Sequence, residues 1–274
     1  MAALWAPKLI IEKRYIRSIQ KIMKQFELLA QGKDEPEEIL KAWKEYAQSA
    51  AFQKAAEDIA CRMVTNLFSD GQKSWREAAR VNSRGRAIYE ALKEELTGPV
   101  GAVYGSLISQ NSKLIRTLPE AVAEQVTAYI AKEQQKGRRA SEIAGEITRL
   151  FPEKTRARAE LIARTEVSKA STALIQARSE LLGLRWYVWR TSEDQRVRDS
   201  HELMEGVIIA WSNPPSPEAL NQERSYGHYH AGNTFNCRCY PEPLVEVEAI
   251  RWPHKVYYQN RIQMMTLAQF KRIA

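Results

Sequence analysis

The sequence predicts a mainly α-helical N-terminal region followed by a small α+β C-terminal module. Three observations carry that prediction. From residue 11 to about 150, Lys and Glu are interleaved with Leu, Ile and Ala, and Gly or Pro falls mainly where the pattern breaks, as at Gly32, Pro36, Gly71, Gly98 and Pro99. From about 154 to 182, Ile162, Val167, Ala170, Leu174, Ala177 and Leu181 recur at helical spacing. Beyond Gly183 the chain becomes aromatic and β-branched, as strands are.

The elements follow in order. Thr117-Leu118-Pro119-Glu120 reads as a helix start, with Thr117 as N-cap, Pro119 in the first turn and Glu120 three residues after the cap. Val122, Val126, Tyr129 and Ile130 then share one face, and Gly137 ends the helix. Ser141 caps a short successor, whose stripe of Ile143, Ile147 and Leu150 is closed by Phe151-Pro152. The long helix after it keeps Arg158, Lys169 and Arg178 toward water, and Glu160 with Arg164 is spaced for a surface ion pair worth about 0.2–0.5 kcal/mol.

Leu184 to Trp189 and Val207 to Trp211 read as strands, with Trp186 and Tyr187 facing opposite ways. Between them, Thr191 and Asp194 read as the cap of a short helix through Arg198 to His201, which Gly206 separates from the second strand. Ser212 to Asn236 reads as a long irregular stretch, with Pro214, Pro215 and Pro217, ending at Cys237-Arg238-Cys239. Leu244 to Ala249 reads as a further strand. The organisation expected is a helical region over 1–115, a module over 116–250 and a basic, aromatic tail over 251–274.

The 274 residues are 44% hydrophobic, enough to bury a core and too many for a disordered chain or a small disulfide-stapled module. Three cysteines, Cys61, Cys237 and Cys239, cannot build a disulfide framework, which fits a reducing compartment. Apolar runs stay short of the roughly 18 residues a span requires, and the opening MAALWAPKLIIEKRYIR is too interrupted for a signal peptide. Neither export nor a membrane span is expected.

The net charge of +8 is uneven: +5 over 1–150, +3 over 151–200, −5 over 201–250 and +5 over 251–274. The histidine and cysteine segment is therefore the acidic one, which argues against direct DNA reading and leaves non-specific DNA contact to the basic flanks. Trp186, Trp189 and Trp211 read as core, whereas Trp252, Tyr257 and Tyr258 lie in the basic tail, where docking is expected. Phosphate-cradling loops, dinucleotide fingerprints and nucleophile elbows are absent from the sequence.

His201, His228 and His230 share the last third of the chain with Cys237 and Cys239. These five are the candidate metal ligands: two thiolates with one or two imidazoles satisfy tetrahedral zinc, and metal binding would offset the ordering entropy of the loop. The Cys-x-Cys spacing is tighter than the usual Cys-x₂₋₄-Cys, so the backbone must turn there for both sulfurs to bind. The same residues also suit two reduced cysteines in a tight turn with histidines bonding locally. Cysteine–histidine nucleophilic chemistry lacks a specified orienting carboxylate, and Glu202 beside His201 does not make the His-Glu-x-x-His spacing of a zinc protease. Asp194 could pair with Arg198, while Arg238 could fork onto Asp194 or Asp199.

Taken in order, Arg158-Ala159-Glu160-Leu161-Ile162-Ala163-Arg164-Thr165-Glu166, Gly183 with Trp189, Asp194-Gln195-Arg196-Val197-Arg198-Asp199-Ser200-His201 with Gly206, and Asn236-Cys237-Arg238-Cys239 resemble the Mu F-like family of phage head morphogenesis proteins. The resemblance covers about residues 115 to 245 and assigns the 116–250 module to that family. It implies a minor head protein of a tailed phage or prophage, not an enzyme. Such a protein would act in procapsid assembly with portal, scaffold or major capsid protein, and in genome delivery. It implies location in the virion head or procapsid, and in the host cytoplasm during assembly. Its characteristic positions would be Arg164, Thr165, Glu166, Asp194, Arg198, His201, Gly206, Cys237, Arg238 and Cys239. Relatives carry His-Pro or Ala-Pro before Asn-Cys-Arg-Cys, whereas this chain has Thr234-Phe235. The alternatives are a DNA-associated packaging or ejection factor and a zinc-dependent hydrolase.

Overall fold

The computed structural model describes residues 4–274, apart from the side chains of 152–155. Its helices are α1 (Leu9–Ala30), α2 (Pro36–Gln48), α3 (Ala50–Val81), α4 (Gly85–Lys93), α5 (Pro99–Gln135) and α6 (Ala140–Leu181). The C-terminal module then interleaves β1 (Trp186–Arg190), α7 (Asp199–Glu202), β2 (Ile208–Ala210), α8 (Pro217–Leu220), β3 (Tyr240–Pro243), β4 (His254–Tyr258), β5 (Arg261–Met265) and α9 (Leu267–Lys271). A mainly α N-terminal region with a small α+β module is the observed architecture. No helix among the described residues is long and apolar enough to cross a membrane.

The chain forms two compact units that are not consecutive stretches. One holds Ile10–Val64 with Ser106–Ala163; the other holds the described residues up to Leu9, Thr65–Gly105 and Arg164–Ala274. The first is all helical. Tyr15, Ile19, Met23 and Phe26 recur every three or four residues along α1 and are buried. Phe26 meets Phe52 edge-on at 5.5 Å between ring centroids, and Trp43 packs on Phe151 at 4.3 Å while its indole N–H donates to the Phe26 carbonyl at 2.7 Å.

Two breaks read from the sequence do not occur. Helix α5 runs through Pro119, and the Thr117 hydroxyl donates to the Leu114 carbonyl inside the helix instead of capping a new one. Pro119 forfeits one backbone hydrogen bond, but Ile115, Leu118, Val122, Val126 and Ile130 are all buried along this helix, and their burial outweighs the loss. Helix α6 likewise continues past Phe151, whose ring is buried in this unit's core.

The second unit is built around a five-stranded sheet of order β3-β1-β2-β4-β5. β1 pairs antiparallel with β2 and with β3, β2 meets β4 in parallel, and β4–β5 is an antiparallel hairpin. Alternation along β1 sends Tyr187 and Trp189 into one core with Trp75, Ile175, Ile209 and Trp211, and Val188 into the other with Ile208, Val256 and Phe270, beside Trp186. The strand expected over Leu244 to Ala249 is instead a single 3₁₀ turn at Val247–Ala249, and β3 lies just before it. Residues 251–274 are not a tail. Val256, Tyr257, Met265 and Phe270 are buried, and Gln259 and Asn260 take positive φ of 52° and 58°, the geometry a tight hairpin turn requires.

Arg178, expected to face water from its helical register, is 2% exposed. Its guanidinium contacts Glu95 at 2.6 Å, donates to the Phe68 carbonyl at 3.1 Å and stacks over the Phe68 ring. Thr65–Gly105 covers that face of α6, so the arginine is paired rather than solvated.

Candidate functional site

The site is assembled on the α6 segment from Arg164 onward, which holds the loop carrying the cysteines. The Arg164 guanidinium donates to Asn236 Oδ1 at 2.7 Å, and the Thr165 hydroxyl accepts the Asn236 amide at 2.9 Å. Two turns further on, the Thr172 hydroxyl donates to the Ala231 carbonyl at 2.7 Å. Gly232 lies against the same helix with φ +81°: a Cβ there would stand 2.7 Å from the Cys239 carbonyl and 2.7 Å from the Thr172 hydroxyl, so only glycine fits. Asn236, itself at positive φ, turns the chain immediately before Cys237.

That turn brings Cys237 and Cys239 to the same point. His201, on α7, presents Nδ1 to both sulfurs, at 3.5 Å from Cys237 Sγ and 3.4 Å from Cys239 Sγ, and the three ligand atoms lie within 4.8 Å of one another. All three residues are buried, and both cysteines are free. The Cys239 amide donates to Cys237 Sγ at 3.4 Å. This bond web, led by the Cys239 thiol and followed by His201, holds the Cys237 thiol well below its ordinary range, while Cys239 is pushed up by the same partnership and by burial.

The far side of the imidazole is equally defined. His201 Nε2 is 3.0 Å from the Tyr229 hydroxyl and 3.6 Å from Glu218 Oε1, and that hydroxyl donates to the same carboxylate oxygen. Glu218 is 1% exposed. Burial, then the hydrogen bond to Glu218, raises the Tyr229 hydroxyl well above its ordinary value. Neither residue was singled out by the sequence, because both fall in the stretch read as irregular. The available signal was Tyr229 standing between two histidines.

His228 and His230 lie outside this cluster. His228 is exposed, with Nδ1 3.0 Å from the Pro214 carbonyl. His230 packs against Trp211 and Tyr187, 3.2 Å from the Tyr187 hydroxyl, and burial lowers its pKa to about 4.

A cleft of about 50 Å³ borders the cluster, lined in part by Arg164, Asp194, Arg198 and Arg238. Asp194 pairs with Arg238 at 3.3 Å rather than with Arg198; its carboxyl is lowered by the Arg196 amide it accepts and by the charges of Arg196 and Arg238. Arg198 instead donates to the Phe235 carbonyl at 2.9 Å, its guanidinium 4.5 Å from that ring's centroid. The expected cap at Thr191 is absent: its amide and hydroxyl both bond Glu205, because Glu205 returns from the end of α7 to that point. Gly206, with φ +75°, donates to the Trp189 carbonyl and accepts from His254, and Glu166 faces Lys169 along α6. The pair expected between Glu160 and Arg164 is replaced, as Glu160 bonds Arg156 at 3.1 Å.

The family described as Phage Mu protein F like protein matches residues 124–241. An uncharacterized protein of Haemophilus influenzae (strain ATCC 51907 / DSM 11121 / KW20 / Rd) is 33% identical over 141 residues, which is 52% of this chain and 29% of that protein, so the chain spans under a third of that relative. No solved structure matches. Residues 124–241, which hold the Arg164 and Thr165 clamp on Asn236 and the whole His201, Cys237 and Cys239 cluster, are thus similar to the phage Mu protein F like family.

Proposed function

We propose that the chain is a minor head protein of a tailed phage or prophage, acting in procapsid assembly in contact with portal, scaffold or major capsid protein. The observation that carries this reading is the convergence of the family segment on one locked loop: Arg164, Thr165, His201 and Asn236 to Cys239 meet in a single place although they are spread over more than 70 residues. Such a module organises other chains and turns over no substrate. It would reside in the procapsid and virion head, and in the host cytoplasm while heads assemble. A role in genome delivery belongs to the same proposal, with DNA contact restricted to the basic flanks.

The test is deletion of the coding sequence from its phage or prophage, with the heads then purified. Defective heads, or heads that fail to deliver DNA, are expected, together with presence of the protein in wild-type procapsids. Normal heads with normal delivery, and wild-type particles that contain none of the protein, would overturn the proposal.

A further inference from the structure

We infer that His201 Nδ1, Cys237 Sγ and Cys239 Sγ form a three-residue metal site of the zinc type. This inference stands apart from the assembly role and would survive its failure. Geometry carries it first. With Zn–S near 2.3 Å and Zn–N near 2.0–2.1 Å, the nitrogen-to-sulfur edge of a regular tetrahedron is about 3.5 Å. The two such edges here are 3.5 and 3.4 Å. Both nitrogen-to-sulfur distances therefore match those around a single ion at ordinary bond lengths.

Charge is the second argument. The cluster buries two thiols, an imidazole and the Glu218 carboxylate, which is 1% exposed and has one oxygen, Oε2, without a hydrogen-bond partner. Two thiolates buried together are costly without compensating positive charge, and a divalent cation bound to both supplies it, with Glu218 on the opposite edge of the His201 ring. Third, the environment is that of a ligated imidazole. His201 Nε2 faces the Tyr229 hydroxyl and Glu218, the kind of outer partner that fixes the tautomer of a metal-binding histidine, and the Cys239 amide donates to Cys237 Sγ.

The site selects its metal by chemistry. Two thiolates and an imidazole suit a borderline-soft cation such as Zn²⁺ and disfavour Mg²⁺ or Ca²⁺, which take oxygen ligands. The cleft of about 50 Å³ has room for a water as fourth ligand, since one needs roughly 10–15 Å³. Binding would tie α7 to the loop clamped on α6.

The experiment uses the full chain, purified under reducing conditions without chelator. About one equivalent of zinc per chain is expected. After metal removal, Co²⁺ should give the visible bands of a tetrahedral site together with thiolate charge-transfer absorption in the near ultraviolet. Cys239→Ser and His201→Ala should lose stoichiometric metal, whereas His228→Ala should keep it. Glu218→Gln leaves the three ligands in place and should weaken zinc roughly 10–100-fold, which keeps the test informative if a ligand variant fails to fold. Less than a tenth of an equivalent of zinc after reconstitution of folded wild-type protein would overturn the inference. So would cobalt binding without thiolate absorption, or wild-type affinity in folded Cys239→Ser.

Discussion

The Thr165 hydroxyl accepts the amide of Asn236 at 2.9 Å across 71 residues of sequence, fixing the start of the cysteine loop to the long helix α6. Thr165→Val should therefore cost roughly 0.5–1.5 kcal/mol in urea unfolding, and Thr165→Ser, which keeps the acceptor, should cost less. Equal losses in both variants would assign Thr165 to packing alone.

The buried pair of Arg178 and Glu95 predicts a non-additive cycle. Arg178→Met or Glu95→Leu alone leaves a charge stranded among buried residues and should destabilise by about 3–5 kcal/mol, whereas the double variant should recover most of that loss. Additive losses in thermal or urea unfolding would show that the two charges do not depend on each other.

His230 makes stability depend on pH. Burial holds its folded pKa at about 4, below the 6.5 of the exposed group, so the unfolded chain binds the extra proton between those values. Stability from this residue is present above pH 6.5 and is lost as pH falls through the window, by about 2 kcal/mol between pH 7 and pH 5. Unfolding of the wild type and of His230→Phe, measured across that range, should show a weaker pH dependence in the variant.

Two glycines with positive φ should respond differently to alanine. At Gly137, φ +74° with open space around the missing Cβ, the cost is backbone strain alone, about 1–2 kcal/mol. Gly232→Ala adds a collision with the Cys239 carbonyl and the Thr172 hydroxyl, so its midpoint in urea should fall further.

The assembly reading places any DNA contact on the basic flanks, where binding would come from phosphate neutralisation. Affinity for a random duplex should then drop steeply between about 50 and 200 mM salt. A flat salt profile would remove DNA from the proposed partners.

Much of the fold was legible because period and burial agree. Leu184 to Trp189 and Val207 to Trp211 announce β1 and β2 through their aromatic and β-branched residues. At Pro119 and Phe151-Pro152 local breaker chemistry points to helix ends, and the burial of residues such as Leu118, Val122 and Phe151, which the sequence does not display, outweighs it. The β4–β5 hairpin was hidden by its basic composition and by a Gln259-Asn260 turn that lacks glycine. At the site, the clustering of His201 with the cysteines was visible in sequence. Residue type and spacing alone do not separate His201 from His228 and His230, since that depends on which ring the clamped loop meets, although the family resemblance includes His201 alone of the three. Glu218 is invisible in sequence for the same reason, and Tyr229 shows there only as the neighbour of two histidines: their role exists only once α8 and the loop close around the imidazole.

The edge strand β3 reads Tyr240-Pro241-Glu242-Pro243. Leu244 donates its amide to Trp186 on β1, so the positions that share its register, Glu242 and Tyr240, also point their amides inward, and the two prolines occupy the outward-pointing positions. That rim offers no N–H groups at Pro241 and Pro243 to a newcomer. The sheet therefore does not grow from β3 by regular backbone pairing, and a partner that extends it with a full ladder must do so along β5.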